Sequence, residues 1–328
     1  MDGASTLGRS KIGATRAHAG TAAIRTVGLT KRYGPTLALD GLDLEVPHGV
    51  VFGYLGPNGA GKTTTIRLLT GLLRPTAGHG EVFGLDAVSD RDEIHRRVGY
   101  LPGEFTAYPD LSGDQYLRYL ANLRRTVNWS DVKLLAKRLD LDLASRIGSM
   151  SHGNRQKIGL VQAFMHRPDL LILDEPSAGL DPLMQREFVA MVQEACDAGA
   201  TVFLSSHMLH EVEDVADTVA ILRRGRLVVV QSVEALKAKA LRRVDLTFIT
   251  ATPLDLLRRT RGVSDVRADG ATVRVVVEGS MDDLFKAAAP YGIRTVVTHE
   301  TDLEEIFLTY YGHGSDHDAP ERLREDPA

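Results

Sequence analysis

The sequence predicts an α/β fold organised around a phosphate-binding loop, with a second, smaller α+β unit behind it. Three observations carry that reading. From about residue 26 to residue 230, short apolar strands alternate with longer amphipathic segments, as in a parallel sheet flanked by helices. One of those strands runs directly into Gly56-Pro57-Asn58-Gly59-Ala60-Gly61-Lys62-Thr63-Thr64 and then into a helix, the strand–loop–helix setting that a GxxxxGK[ST] string needs. Past residue 240 the predicted order becomes βαββαβ, which suggests a ferredoxin-like sheet.

Composition sets the frame. A chain of 328 residues is too long for one ordinary core and suits two domains. With 25% charged and 43% hydrophobic residues, bulk disorder, collagen-like repeats and a disulfide scaffold are excluded. Lys and Arg total 39 against 43 Asp and Glu, giving a net charge of −4, without the basic excess of a nucleic-acid partner. Cys196 is the only cysteine, so no internal disulfide can form and a cysteine-based zinc site is excluded. The sequence contains no run of about 18 uninterrupted apolar residues. We therefore expect a soluble intracellular protein that does not cross a bilayer by itself.

The elements follow in order. Residues 1–22 mix Gly, Ala, Ser and Thr with Arg9, Lys11 and Arg16 and offer no signal-peptide core. A solvated tail is the favoured reading, ahead of an organellar transit peptide. The large α/β unit is placed at 23–233. Within it, residues 50–55 and 170–173 are continuous apolar runs and residues 201–204 a third, as expected of central parallel strands buried on both faces. The accessory unit is placed at 234–312, entered through a short helical linker at about 234–240. Its strands are expected at 244–249, 263–266, 272–277 and 293–297, and its helices near 254–260, 281–288 and 303–310. Asp269-Gly270 is a good hairpin turn between the second and third strands. The acidic, proline-bearing stretch 313–328 reads as a second solvated tail.

The chemistry concentrates in three places. In the loop at 56–64, glycines let backbone N–H groups turn inward around phosphate oxygens at a helix N-terminus. Lys62 adds a point charge for the β- and γ-phosphates, and the Thr63 hydroxyl can ligate Mg²⁺. The run Leu170-Leu171-Ile172-Leu173-Asp174-Glu175 ends a buried strand in two acids, which is costly unless they serve a site at the sheet's carboxyl edge. There Asp174 would hold Mg²⁺ and Glu175 would polarise the attacking water, although an Asp-Glu pair can also simply cap a following helix. Met150-Ser151-His152-Gly153-Asn154-Arg155-Gln156 opens another helix. Taken alone, Ser151 there is an ordinary N-cap.

Together these residues resemble the nucleotide-binding subunit of an ABC transporter, over about residues 25–231. Tyr33 matches the aromatic that stacks on adenine in that family. Gly56–Thr64 matches its Walker A, 170–175 its Walker B, and Ser151–Gln156 its signature. Ser177-Ala178-Gly179-Leu180-Asp181 matches its D-loop, and Ser205-Ser206-His207 its switch histidine. The resemblance implies a RecA-like core with antiparallel β and helical subdomains, and ATP and Mg²⁺ as cofactors. It also implies hydrolysis at an interface between two cassettes, with a homodimer favoured over a sister chain. Ser151 and Gly153 would touch the γ-phosphate across that interface, Asp181 would line it, and His207 would sense the phosphate from its own chain. A separate multi-span membrane permease would dock the subunit at the cytoplasmic face of the membrane.

Two positions depart from the family pattern. Gly103 stands where a Q-loop glutamine is expected, followed by Glu104, and His152 replaces a glycine of the signature. Phe105 and Tyr108 either form an exposed permease-docking patch or pack into the helical subdomain. The end of the chain, Thr301 to Tyr311, resembles the tail of daunorubicin-resistance-like export ATPases, which makes a drug or hydrophobic-compound exporter the leading expectation. A non-transport ABC ATPase and a weakly hydrolysing regulatory cassette are the alternatives.

Overall fold

The structure, a computed structural model, describes residues 22–239, 241–249, 252–278 and 280–299. The first half of the large unit runs β1 (Ile24–Tyr33), β2 (Thr36–Val46), β3 (Val51–Leu55), α1 (Lys62–Leu69), β4 (Ala77–Val82), β5 (Leu85–Asp86), α2 (Arg91–Arg97) and β6 (Val98–Leu101). The second half runs α3 (Gly113–Arg124), α4 (Trp129–Arg138), α5 (His152–Phe164), β7 (Leu170–Asp174), α6 (Pro182–Asp197), β8 (Thr201–Ser206), α7 (Leu209–Glu213), β9 (Thr218–Arg223) and β10 (Arg226–Ser232). A linking helix α8 (Val233–Lys239) precedes β11 (Leu241–Phe248), α9 (Leu254–Arg259), β12 (Val263–Asp269), β13 (Thr272–Glu278), α10 (Asp282–Ala288) and β14 (Ile293–His299).

The strands form three sheets. The central one has six strands in the order β10-β9-β3-β8-β7-β6. Its neighbours from β9 to β6 pair in parallel and β10 joins antiparallel at one edge. Every residue of β3, β7 and β8 is buried. The reason is that the sheet has a core on each face. Val51 and Leu55, Leu171 and Leu173, and Val202 and Leu204 enter one core. Their neighbours Phe52, Tyr54, Leu170, Ile172 and Phe203 enter the other. Successive side chains leave opposite faces of a strand, so covering both faces turns alternation into an unbroken apolar run. In the second core Phe203 sits with its ring centre 5.9 Å from that of Phe52 and 5.1 Å from that of Tyr54.

A four-stranded antiparallel sheet, β2-β1-β4-β5, closes the second core together with α1. The other core lies under the helices α3 to α6. Helix α3 starts at a capping box in which Ser112 and Gln115 satisfy each other's backbone N–H groups. Asn128 caps α4. The Arg118 guanidinium of α3 lies 3.9 Å from the centre of the Trp129 ring at the start of α4, a cation–π contact that joins the two helices. Arg138, at the far end of α4, reaches α6 through Glu194 at 2.6 Å and Glu187 at 2.5 Å.

The accessory unit forms a sheet of its own, β12-β13-β11-β14, with all neighbours antiparallel. Counting only its own strands, the order is 2-3-1-4, which is the ferredoxin-like topology. Its core gathers Val244, Leu246 and Phe248 of β11, Val273, Val275 and Val277 of β13, Leu257 of α9 and Leu284 of α10. The hairpin turn lies at Gly270, at φ +64°, between the paired residues Asp269 and Thr272. The helix expected near 303–310, the tail at 313–328 and all but residue 22 of the N-terminal tail lie outside the described residues. No helix among the described residues is long and apolar enough to cross a membrane.

Candidate nucleotide site

The phosphate loop leaves the carboxyl end of β3 and is held from two sides. A Cβ on Gly56 would lie 2.6 Å from the Leu222 carbonyl oxygen, and one on Gly61, at φ +112°, would lie 2.7 Å from that of Ala38. Only glycine fits either place, since one lacks room and the other adds a left-handed backbone. Further bonds fix the loop: Ala60 N–H to the Pro57 carbonyl at 3.1 Å, and Gly225 N–H to the Ala60 carbonyl at 2.8 Å. Pro57, Asn58 and Gly59 form its exposed tip, and Thr64 is half-buried in the first turn of α1. Gly61 is the N-cap of α1 and supplies no side-chain cap, so the first N–H groups of the helix face the loop's concavity without a competing side-chain acceptor.

Lys62 is 6% exposed and turns back over the loop. Its ammonium donates to the Gly56 carbonyl at 2.6 Å and to that of Pro57 at 3.4 Å, and stands 3.2 Å from Glu175 Oε1. The other Glu175 oxygen, Oε2, accepts from His207 Nδ1 at 2.7 Å. Asp174, fully buried at the end of β7, accepts from the Thr63 hydroxyl at 2.7 Å and from the Ser205 hydroxyl at 2.5 Å. The sheet thus brings Lys62, Thr63, Asp174, Glu175 and His207, read separately along the sequence, into one cluster. Its means is the parallel pairing of β7 with β8 and of β8 with β3, which places three strand ends side by side.

Glu175 has a left-handed backbone, φ +50°, a costly conformation for a residue with a side chain. One backbone bond and a side-chain clamp hold it there. Its N–H donates to the Ser205 carbonyl at 3.1 Å. The Gln156 amide of α5, itself buried, donates to the Glu175 and Pro176 carbonyls at 3.2 Å each. Neither Ser205 nor Gln156 had been given a role in the cluster by its sequence. The available signal was a polar pair, Ser205-Ser206, ending an otherwise apolar strand.

Other expected site residues stand apart. Tyr33 ends β1, is 45% exposed and carries the Lys31 ammonium 5.3 Å from its ring centre. Ser151 caps α5, its hydroxyl accepting from Asn154 N–H at 3.2 Å. Asp181 caps α6, accepting from the N–H groups of Leu183 and Met184 at 3.0 Å each. Gly153 packs on the Gly179 carbonyl. Among the described residues no hydrogen bond joins Ser151, Gly153 or Asp181 to Lys62, Asp174 or Glu175. The Phe105 and Tyr108 question divides. Phe105 packs against the core, edge-on to Tyr116 at 6.2 Å, whereas Tyr108 is 60% exposed. At the Q-loop position, a Cβ on Gly103 would lie 3.2 Å from Asp174 Oδ2.

A hard divalent cation fits this donor set. The Thr63 hydroxyl and the Asp174 carboxylate converge on each other, and no cluster of three or more His, Cys, Asp or Glu ligands exists among the described residues. Such a donor set suits a hard divalent cation held by few protein oxygens and completed by water and phosphate, and not a caged metal.

Comparison with known proteins decides the family. Residues 39–178 match the family model described as ABC transporter. The chain is 34% identical over 323 residues to the daunorubicin/doxorubicin resistance ATP-binding protein DrrA of Streptomyces peucetius, covering 93% of this chain and 97% of that one. The protein belongs to the ABC transporter ATP-binding family. The chain is also 39% identical over 207 residues, 62% of its length and 68% of the relative's, to the bacitracin transport ATP-binding protein BcrA of Bacillus licheniformis. Among solved structures, an ATP-binding subunit of an ABC transporter matches with a TM-score of 0.61 at 28% identity, covering 65% of this chain and 91% of that one. A dimeric cassette in a post-hydrolysis state with ADP and Pi shares the fold at 19% identity, with a TM-score of 0.58 and coverage of 64% and 98%. The cassette is thus an ATP-binding, ATP-hydrolysing module of the ABC type.

Proposed function

We propose that this chain powers a membrane exporter of drug-like or hydrophobic compounds by binding and hydrolysing Mg²⁺-ATP between two cassettes. The observation that carries the proposal is the Lys62–Glu175–His207 cluster beside Thr63–Asp174. The polyphosphate takes Lys62 from its carbonyl and carboxylate partners, since it is the stronger anion. Thr63 and Asp174 would hold a Mg²⁺ ion, which would supply positive charge beside the phosphate oxygens. Glu175, released from Lys62 and still oriented by His207, holds water in line with the γ-phosphorus and accepts its proton. The water oxygen bonds to phosphorus as the bond to the β–γ bridging oxygen breaks, and ADP departs.

Tyr33 stacks on the base, while the exposed starts of α5 and α6, with Ser151, Gly153 and Asp181, meet the nucleotide of a second copy. Closure follows ATP binding and opening follows hydrolysis. The accessory unit from 234 onward belongs with export, since the relative named for daunorubicin/doxorubicin resistance aligns over 97% of its length, including that unit. The permease is a separate multi-span protein, and the exposed Tyr108 marks its docking side on the cytoplasmic face of the membrane. The test is a tagged Glu175→Gln pull-down with ATP from gently solubilised host membranes. Recovery of a multi-span membrane protein supports the proposal, and recovery of soluble partners alone rejects it.

A further inference from the structure

His152 is an exposed residue of the turn that would face a second cassette, and one edge of its ring has a definite seat. A Cβ on Gly179 would lie 2.6 Å from His152 Cδ2 and 3.3 Å from its Nε2, and a Cβ on Gly153 would lie 2.5 Å from the Gly179 carbonyl oxygen. The imidazole edge therefore occupies the bare face of Gly179, whose φ of +76° turns that face toward α5. Four residues along the helix, Gln156 holds the Glu175 and Pro176 carbonyls at 3.2 Å each. Positions i and i+4 of a helix, here His152 and Gln156, share one side. One side of the first turns of α5 thus grips residues 175–179 at both ends: Gln156 at the strained Glu175, and His152 with Gly153 at Gly179.

We infer that His152 is a positioning residue for hydrolysis, wedged on Gly179 so that the start of α5 and the loop carrying Glu175 move as one piece. This rests on the reading that the start of α5 meets the nucleotide of a second copy. Given that, a shift of α5 imposed at one nucleotide reaches the Glu175 of the other site through packed atoms, because close-packed contacts transmit displacement instead of absorbing it. The ring's shape does this, not its charge. A glycine at 152 would leave the wedge empty.

The test is a double-mutant cycle on the full chain with its permease, using His152→Gly and Gly179→Ala. A methyl at 179 carries backbone strain in either background, and the cycle cancels it. We expect Gly179→Ala to lower kcat about ten-fold more when His152 is present than when it is glycine, with KM for ATP changed less than about two-fold. His152→Gly alone should lower kcat and bring the Hill coefficient for ATP toward one. His152→Phe, which keeps a ring edge in the seat and leaves both glycines intact, should retain kcat within about two-fold. Additive effects in the cycle, or a Phe variant as slow as the Gly variant, would overturn the role of His152; the second result would point to a direct contact by a ring nitrogen. An ATPase-inactive parental chain would reject the proposed function itself, so the two failures are separable.

Discussion

The Glu175 carboxylate and the His207 imidazole are joined by a 2.7 Å hydrogen bond, Nδ1 to Oε2, at a residue whose backbone is already held at φ +50°. Backbone strain and a side-chain tether together aim one carboxylate at one place. An amide in the same position keeps the shape and loses the base. Glu175→Gln should bind ATP within about two-fold of the parental chain and hydrolyse it at least about a hundred-fold more slowly. A nucleotide titration paired with a steady-state phosphate assay measures both, and parental turnover in the variant would remove Glu175 from the mechanism.

Lys62 is buried to 6% exposure and makes its contacts with carbonyls and Glu175, all acceptors that a polyphosphate replaces. Lys62→Ala should therefore weaken ATP binding itself, by about ten-fold or more, because a charge-assisted contact to phosphate is lost. Direct calorimetric titration reads this, and unchanged affinity would mean the backbone N–H groups alone hold the phosphates.

The Asp174 carboxylate is already met by two hydroxyls, and Gly103 leaves room beside it that a Cβ would fill at 3.2 Å. Gly103→Gln requires the neighbouring atoms to give by a few tenths of an ångström, and then adds an amide oxygen near the cation site. Hydrolysis should reach half its maximum at a several-fold lower Mg²⁺ concentration. An unaltered Mg²⁺ dependence would show that the loop completes the site by other means.

His166 follows the C-cap of α5, with Nε2 donating to the Val98 carbonyl at 3.2 Å and Nδ1 without a partner. Burial, with the Arg124 charge adding to it, pushes its pKa down to about 4 from 6.5. The unfolded chain then binds the proton that the folded one refuses, so stability falls as pH drops from about 6.5 to about 4. The loss attributable to this one group is about 3 kcal/mol at pH 4. Urea midpoints measured against pH should drop less steeply for His166→Gln, and parallel profiles would refute the assignment.

Much of this was written into local sequence, and the reason is physical. Strands covered on both faces, such as β3 and β7, must be apolar throughout, and phosphate loops must be glycine-rich where backbones touch. What escaped is what pairing alone creates. The strand predicted at 244–249 begins at Leu241, because Arg242 and Arg243 are both exposed and break the apolar pattern while their backbones pair with Val277 and Val276. The strand predicted at 293–297 runs on to His299 for the same reason, opposite Arg243. Ser205 and Gln156 serve Asp174 and Glu175 from 31 and 19 residues away. No periodicity encodes such a distance. Ser151 and Asp181 matched a family pattern, yet within this chain their oxygens cap α5 and α6.

Trp129, which pins α4 to α3 under the Arg118 guanidinium, is the only tryptophan in the sequence. Excited where indole absorbs and tyrosine does not, the unlabelled protein therefore emits from a single point in its helical layer. Any rotation of that layer against the sheet is open to stopped-flow optics without a dye, a tag or a substitution.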